Sequence, residues 1–380
     1  MRKIFHYLEN ICESREISNE RIANLLGMTP GSVSNYFHNK QEIKFVSFLK
    51  LIEFLVDDES KRLELIYEFC KTQKQHIESD RVALEWASNN GQLELQRILL
   101  EKMKNNKTNG PHTEPYDILF DRNFRKKSSF ETFLRVKNLM KKKYRRPETR
   151  ALLEICFIYS HWDQGIYNYS FFEASAKSVR AELDLITSED TQFIKDSFEI
   201  RIREILANAY LKAGNVQGAR DISYSILRYD NLHWFPAAVL STYRVLAESY
   251  LFTDKEQSLL YLNKAISMLA NSPLQKNEAK RQGVEATADH IRIHLGEVEK
   301  LFLHGCPEKA HYLASIGQKE SALKILSEIE LKNGKLTAHQ QYYKALAHRD
   351  NNMLKLAQVS FYKESDFFYA QLPEFTEFYS

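Results

Sequence analysis

The sequence predicts an all-α protein, an N-terminal helix-turn-helix domain followed by a degenerate tetratricopeptide-like superhelical solenoid. Apolar residues recur at helical spacing with little interruption along most of the chain. Only 12 of the 380 residues are glycine, too few for the turns of an all-β or dinucleotide-binding fold. A repeat appears beyond Phe193. Gly214 and Gly317 stand 103 residues apart (317 − 214), as do Ala219 and Ala322, which is three periods of about 34 residues, the tetratricopeptide spacing.

The N-terminal domain is expected over residues 1–56. Met1 to Ser14 reads as a helix with Ile4, Phe5, Leu8 and Ile11 on one face. Ile17 to Lys44 carries the helix-turn-helix. Ser18 caps its first helix, and Ile22, Ala23, Leu25 and Leu26 give that helix an apolar face. Gly27 supplies the positive φ of the turn. Thr29 caps the second helix, with Pro30 at its first position, where a missing N–H costs nothing. Val33, Tyr36 and Phe37 face inward. This leaves Thr29, Gly31, Ser32, Ser34 and Asn35 as short residues able to approach base edges in a major groove. Asn39, Lys40 and Lys44 follow, placed to hold phosphates. A generic pair of core helices is the alternative. The coincidence of capped Pro turn, small polar face and trailing Asn-Lys favours DNA binding. The segment also resembles the helix-turn-helix of phage repressors, with Ala23, Gly27, Val33 and Ser34 at positions that want small or branched residues.

Phe45 to Val56 reads as a strongly apolar helix that can close this domain or join it to the next. Asp57-Asp58-Glu59-Ser60 is the expected boundary, an acidic break that can cap the next helix. Residues 57–380 then read as the solenoid, a peptide-sensing and dimerisation domain. Ser79 to Ala87 is a helix that stops at Asn89-Asn90-Gly91, and Leu93 to Met103 returns beside it. Asn105 to Pro115 is expected to be the longest loop, and Lys141 to Arg146 a solvated basic helix end, with a second phosphate contact as the alternative. The repeats pair Leu206–Tyr210 with Ala219, Ala247–Tyr250 with Ala265, His311–Leu313 with Ala322, and Tyr342–Ala345 with Ala357. A small residue sits at each helix crossing, and stacking buries what one hairpin leaves open. Gln371-Leu372-Pro373 is expected to end the last helix, leaving the aromatic Phe367, Phe368, Tyr369, Phe375, Phe378 and Tyr379 in need of a cap or a partner.

The formal charge is only +3, so nucleic-acid affinity must come from a local patch. The four cysteines form no C-x-x-C pair and read as buried thiols of a reducing compartment. Residues 4–9 are too short and polar for a signal peptide, and no run reaches the roughly 18 apolar residues of a membrane span. A cytoplasmic protein is expected. His290 and His294 stand at i, i+4 near Glu297 and Glu299, but without an H-E-x-x-H pattern they read as a polar helix face. No phosphate cradle or activated nucleophile appears. No enzyme activity, cofactor or metal is expected.

A helix-turn-helix head on such a solenoid resembles the peptide-sensing regulators of Gram-positive bacteria and their phages. Within them the chain most resembles the arbitrium receptors (AimR-type) of Bacillus phages. The resemblance rests on Ser79–Ala87, Phe193–Arg201, Asn208, Ser249–Phe252, Lys363–Asp366 and Gln371–Pro373. It implies a homodimeric transcription regulator of lysis and lysogeny in the bacterial host. The regulator would bind double-stranded operator DNA near a promoter, under control of an imported peptide of about six residues. Asn208 matches the Asn that clamps the peptide backbone, and an amide suits that role because it both donates and accepts. Asp366 matches an acidic position that meets the peptide's Arg. Glu248 stands where relatives carry Asn, and is a second candidate carboxylate. Arg201 and Arg244 are candidates for the terminal carboxylate, and Leu251 and Phe368 complete the candidate peptide set. The competing reading is a Rap-like regulator that binds a response regulator; that class lacks the Ser18–Lys44 segment.

Overall fold

The computed structural model describes residues 1–73, 77–104, 106–124, 127–165, 167–188 and 191–376. Among the described residues all regular structure is helical. The head comprises α1 (Arg2–Ser14), α2 (Asn19–Leu26), α3 (Pro30–Phe37) and α4 (Phe45–Leu55). Its core is set by apolar spacing: Ile4, Phe5 and Leu8 of α1 meet Ile22 and Ala23 of α2 and Val33, Tyr36 and Phe37 of α3. Leu25 departs from expectation. It is 39% exposed, because the eight-residue α2 buries only Ile22 and Ala23 fully.

Asp58 caps α5 (Glu59–Thr72), its carboxylate accepting from the Lys61 amide at 2.6 Å. The apolar core runs on across this break. Phe48 of α4 stacks on Phe69 of α5 with centroids 4.1 Å apart, and Phe45 meets Trp86 of α6 (Ile77–Asn89) at 5.9 Å. Trp234 donates from Nε1 to Glu53 of α4 at 2.7 Å. The head is therefore seated on the solenoid by an apolar joint with a polar latch.

Next come α7 (Leu93–Lys104) and α8 (Gly110–Asn123). The expected loop at Asn105 to Pro115 is a helix from Gly110 on. Pro111 stands in its first turn, and Pro115, inside the helix, is buried along with His112, Thr113 and Tyr116. Burial of that face outweighs the hydrogen bond that Pro115 cannot make. α9 (Ser129–Met140), α10 (Pro147–Trp162) and α11 (Tyr169–Asp184) follow. The basic stretch after α9 is mostly exposed, with Lys142 paired to Glu114 at 2.6 Å.

The repeats are helix hairpins: α12 (Gln192–Lys212) with α13 (Val216–Leu227), α14 (Pro236–Ser249) with α15 (Lys255–Ala270), α17 (Cys306–Ser315) with α18 (Lys319–Asn333), and α19 (Ala338–His348) with α20 (Asn351–Lys363). α16 (Glu278–His294) bridges α15 and α17. Ala219, Ala247, Ala265, Ala322, Ala345 and Ala357 are fully buried, as close helix crossings require. Gly214 and Gly317 turn the chain at φ +78° and +80°, whereas Asp254 and Asp350 close equivalent turns by capping the next helix. The repeat thus tolerates either residue because each satisfies the turn in its own way.

The last regular helix ends at Lys363, earlier than Gln371–Pro373, which lie in a 3-10 turn over Tyr369–Phe375. This segment folds back on the solenoid: the Phe367 amide donates to the Lys212 carbonyl at 2.8 Å, and Asp366 pairs with Lys212. Phe368 and Tyr369 are buried by that return, while Phe367 and Phe375 stay about half exposed. Phe378 and Tyr379 lie outside the described residues. Of the cysteines, Cys12, Cys70 and Cys156 are buried but Cys306 is exposed, since it opens α17 at the surface. No described helix is long and apolar enough to cross a membrane.

Candidate functional site

The first candidate surface is α3. Gly27 takes φ +66°, and Ser18 and Thr29 accept from the Arg21 and Ser32 amides at 3.3 Å each. With Val33, Tyr36 and Phe37 buried, the outer side presents Gly31 and Asn35 exposed, with Ser32 and Ser34 half-buried. The Thr29 hydroxyl is engaged as the cap and lies 3.0 Å from the Ser32 hydroxyl. Asn39, at φ +55°, turns the chain out of α3, and Lys40 and Lys44 are exposed beyond it. The eight candidates thus lie along α3, its N-cap and the segment that leads from it to α4. His38 was missed by sequence reasoning. It is exposed on the same face and sits 2.8 Å from the Ser34 carbonyl through Nδ1. A ring four residues after a candidate serine was visible in the S-N-Y-F-H spacing.

The second is a cavity of about 490 Å³ between α12, α14 and α16, closed by the ends of α8 and α10 and the start of α9. Asn208 of α12 and Arg244 of α14 both line it. Asn208 donates to the Glu204 carbonyl at 2.8 Å and accepts from Arg244 Nη2 at 3.3 Å. These two bonds engage one amide hydrogen and the carbonyl oxygen of its side chain. Arg122 clamps Asp163 through two hydrogen bonds of 2.6 and 2.9 Å and lies 4.5 Å over the Tyr159 ring. Lys280 faces Glu204 at 3.6 Å, and burial lowers its pKa below the usual lysine value. Arg122, Asp163, Lys280 and Gly283 were not singled out as site residues from sequence. Gly283 offered a signal: a glycine inside a helix often marks close approach. A Cβ there would meet Arg244 Nη1 at 3.3 Å.

The other peptide candidates lie elsewhere. Arg201 is tied to buried Glu85 at 2.9 Å. Glu248 accepts from the Tyr369 hydroxyl at 2.6 Å, and Asp366 is paired with Lys212 and accepts from the Tyr369 amide at 3.2 Å. Leu251 and Phe368 are core residues of the C-terminal repeats. The returning segment is what gathers Glu248, Asp366 and Phe368, and a repeat pattern carries no information about where such a segment goes. His290 packs among rings, 5.3 Å from His311 and 5.4 Å from His339.

Comparison with known proteins places this architecture. The AimR transcriptional regulator of Bacillus phage SPbeta is 20% identical over 338 residues, 87% of this chain and 83% of the relative. The uncharacterized protein pXO2-35 of Bacillus anthracis is 27% identical over 229 residues, 60% of this chain and 83% of that protein. Among solved structures, phAimR-Ligand superposes with a TM-score of 0.74 at 18% identity, covering 88% of this chain and 96% of the other. SeMet-phAimR gives 0.63 at 19% identity over 97% and 95%. These likenesses show the same all-helical fold. Residues 62–374 match the family described as AimR transcriptional regulator-like, a family of regulators rather than enzymes, and the chain belongs to it.

Proposed function

We propose that this chain is a peptide-controlled DNA-binding regulator of the lysis–lysogeny type, acting in the cytoplasm of a bacterial host. Residues 1–56 read operator DNA through Gly31, Ser32, Ser34 and Asn35, with Asn39, Lys40 and Lys44 on phosphates. Residues 57–380 take a short peptide in the cavity at Asn208 and Arg244. The observation that carries this reading is the joint between the two sites. α14, which holds Arg244, begins two residues after Trp234, and Trp234 is bonded to Glu53 of the head at 2.7 Å. A peptide that shifts α14 therefore bears on the seat of the head.

The chain acts as a two-fold dimer, since one head spans only a half-site. Supporting this, α20 exposes Leu356, Val359 and Tyr362 along one side, at 64%, 46% and 47%. Such an apolar stripe suits a second copy. Replacing Leu356 and Val359 by Ser should yield monomer in light scattering; an unchanged dimer would reject this face.

The test of the main reading is a gel shift on DNA flanking the chain's own gene, with and without hexapeptides encoded just downstream. Asn35→Ala should cost about 1–3 kcal/mol of specific binding with the fold intact. Lys40→Ala should weaken binding to all sequences alike and reduce the salt slope by about one. Wild-type affinity in the Asn35 variant would remove α3 from the DNA interface.

A further inference from the structure

We infer that the cavity between α12, α14 and α16 selects an acidic peptide, one that brings a side-chain carboxylate to Lys280 and Arg244. The inference rests on the reading of this cavity as the peptide site, and reverses the charge that a basic peptide would bring. Among the described residues, four cationic side chains line the cavity, Arg122, Lys127, Arg244 and Lys280, against two carboxylates, Asp163 and Glu204.

These charges are not equally available. Arg122 and Asp163 satisfy each other through two hydrogen bonds. Lys127 turns to Asp121 at 3.4 Å. What remains is Lys280, facing Glu204, and Arg244, whose Nη2 donates to the Asn208 side chain at 3.3 Å. Lys280 stands 3.6 Å from Glu204, long for a charged hydrogen bond. Arg244 Nε is buried without a hydrogen-bond partner, its closest carboxylate oxygen being that of Glu248 at 3.9 Å. A buried donor left unmade is costly, and an incoming oxygen anion removes that cost. Gly283 holds the space: a side chain there would press on Arg244 Nη1 at 3.3 Å.

The carboxylates that could meet a peptide guanidinium are already engaged. Asp366 is 2% exposed and paired with Lys212, and Glu248 accepts from Tyr369. Neither lines the cavity. The field at Lys280 agrees with this. Burial and the Arg122, Arg244 and Arg201 guanidiniums lower its pKa, with Glu204 alone opposing them. An arginine brought into this space would add a cation to an existing excess. A carboxylate would restore the proton affinity of Lys280 and give Arg244 a two-pronged partner.

The test uses the intact chain and three hexapeptide pools. Each pool has one position fixed as Asp/Glu, as Arg/Lys or as Ser/Ala, with neutral residues elsewhere, and is made with free and with amidated C-termini. Titration calorimetry should rank the Asp/Glu pool about tenfold tighter than the Arg/Lys pool at either C-terminus. Lys280→Met should narrow that preference to about threefold, and Lys280→Glu should reverse it, with circular dichroism unchanged. Should Lys280→Glu fail to fold beside Glu204, Arg244→Gln replaces it, and there too the preference should narrow. Equal affinities, or preference for Arg/Lys, would overturn the inference and leave the peptide reading standing. A preference that vanishes on amidation would overturn it as well, by assigning the anion to the chain end. Binding by none of the pools would overturn both readings.

Discussion

At the scale of single residues, buried polar side chains tie together helices that are far apart in the chain. Glu85 is fully buried and accepts from the Tyr116 hydroxyl at 2.6 Å, the Asn89 amide at 2.8 Å and Arg201 at 2.9 Å, with Ser197 beside them. This knot ties α6 and α8 to α12. Glu85→Gln keeps the shape but strands Arg201 in a buried place, which should cost about 3–5 kcal/mol in urea unfolding; a loss below about 1 kcal/mol would mean that water reaches the guanidinium. The histidines give a second residue-scale prediction. Burial pushes His290, His311 and His339 well below the usual 6.5, with lesser contributions from one another, His294 and Lys212. Their folded form resists a proton that the unfolded chain accepts. The stability they permit is complete above pH 6.5 and falls as the pH drops below it. The melting midpoint should therefore decline between pH 7 and 5, and decline less in His311→Phe, whose ring can keep the stack on Tyr343 at 4.2 Å. A midpoint with the same pH slope in both proteins would clear His311 of the effect. None of these groupings was legible in the sequence, because their members come from helices far apart in the chain.

At the scale of elements, legibility followed local chemistry. The helix-turn-helix was readable because each of its boundaries is set by its own residue: Ser18, Gly27, Thr29 and Pro30 act where they stand. The hairpin repeats were readable through small residues at a fixed period. α8 was not, since Asn-Gly-Pro and a second Pro signal a loop, and only tertiary burial of His112, Thr113, Tyr116 and Leu119 makes a helix of it. Two glycines show how far local geometry can be separated from packing. Gly27 and Gly91 share a left-handed φ, +66° and +65°, but a Cβ on Gly27 meets nothing within 4 Å. One on Gly91 would strike Leu274 Cδ2 at 2.9 Å and its backbone nitrogen at 3.0 Å. Gly27→Ala should cost about 1–2 kcal/mol from the backbone alone. Gly91→Ala should cost a further ~1–3 kcal/mol because the main chain before α16 must yield. Equal losses in chemical denaturation would mean that the Leu274 turn moves freely.

At the scale of the whole molecule, the two sites are joined by the contact of α4 with the turn before α14. Glu53 accepts from Trp234 Nε1, and the Trp234 carbonyl accepts from Asn90 at 3.0 Å, so head, α6 and α14 meet at one tryptophan. If that latch carries the signal, Glu53→Ala should leave the separate affinities for DNA and peptide near wild type. The effect of peptide on DNA binding should shrink by about 0.5–2 kcal/mol. Unaltered coupling would route the signal through the apolar joint of Phe45 and Phe48 instead. The cavity itself was only half legible: Asn208 and Arg244 came from the inner helices of the repeats, whereas Arg122, Asp163 and Lys280 close it from helices outside the readable period.

Fluorescence anisotropy on labelled operator DNA, titrated with peptide, tests whether two separate surfaces of one chain read DNA and peptide. Asn35→Ala should lose specific DNA binding while calorimetry shows its peptide affinity intact. Asn208→Ala should bind DNA as wild type does and lose the response to peptide. An Asn208→Ala protein that answers peptide as wild type does would contradict that reading.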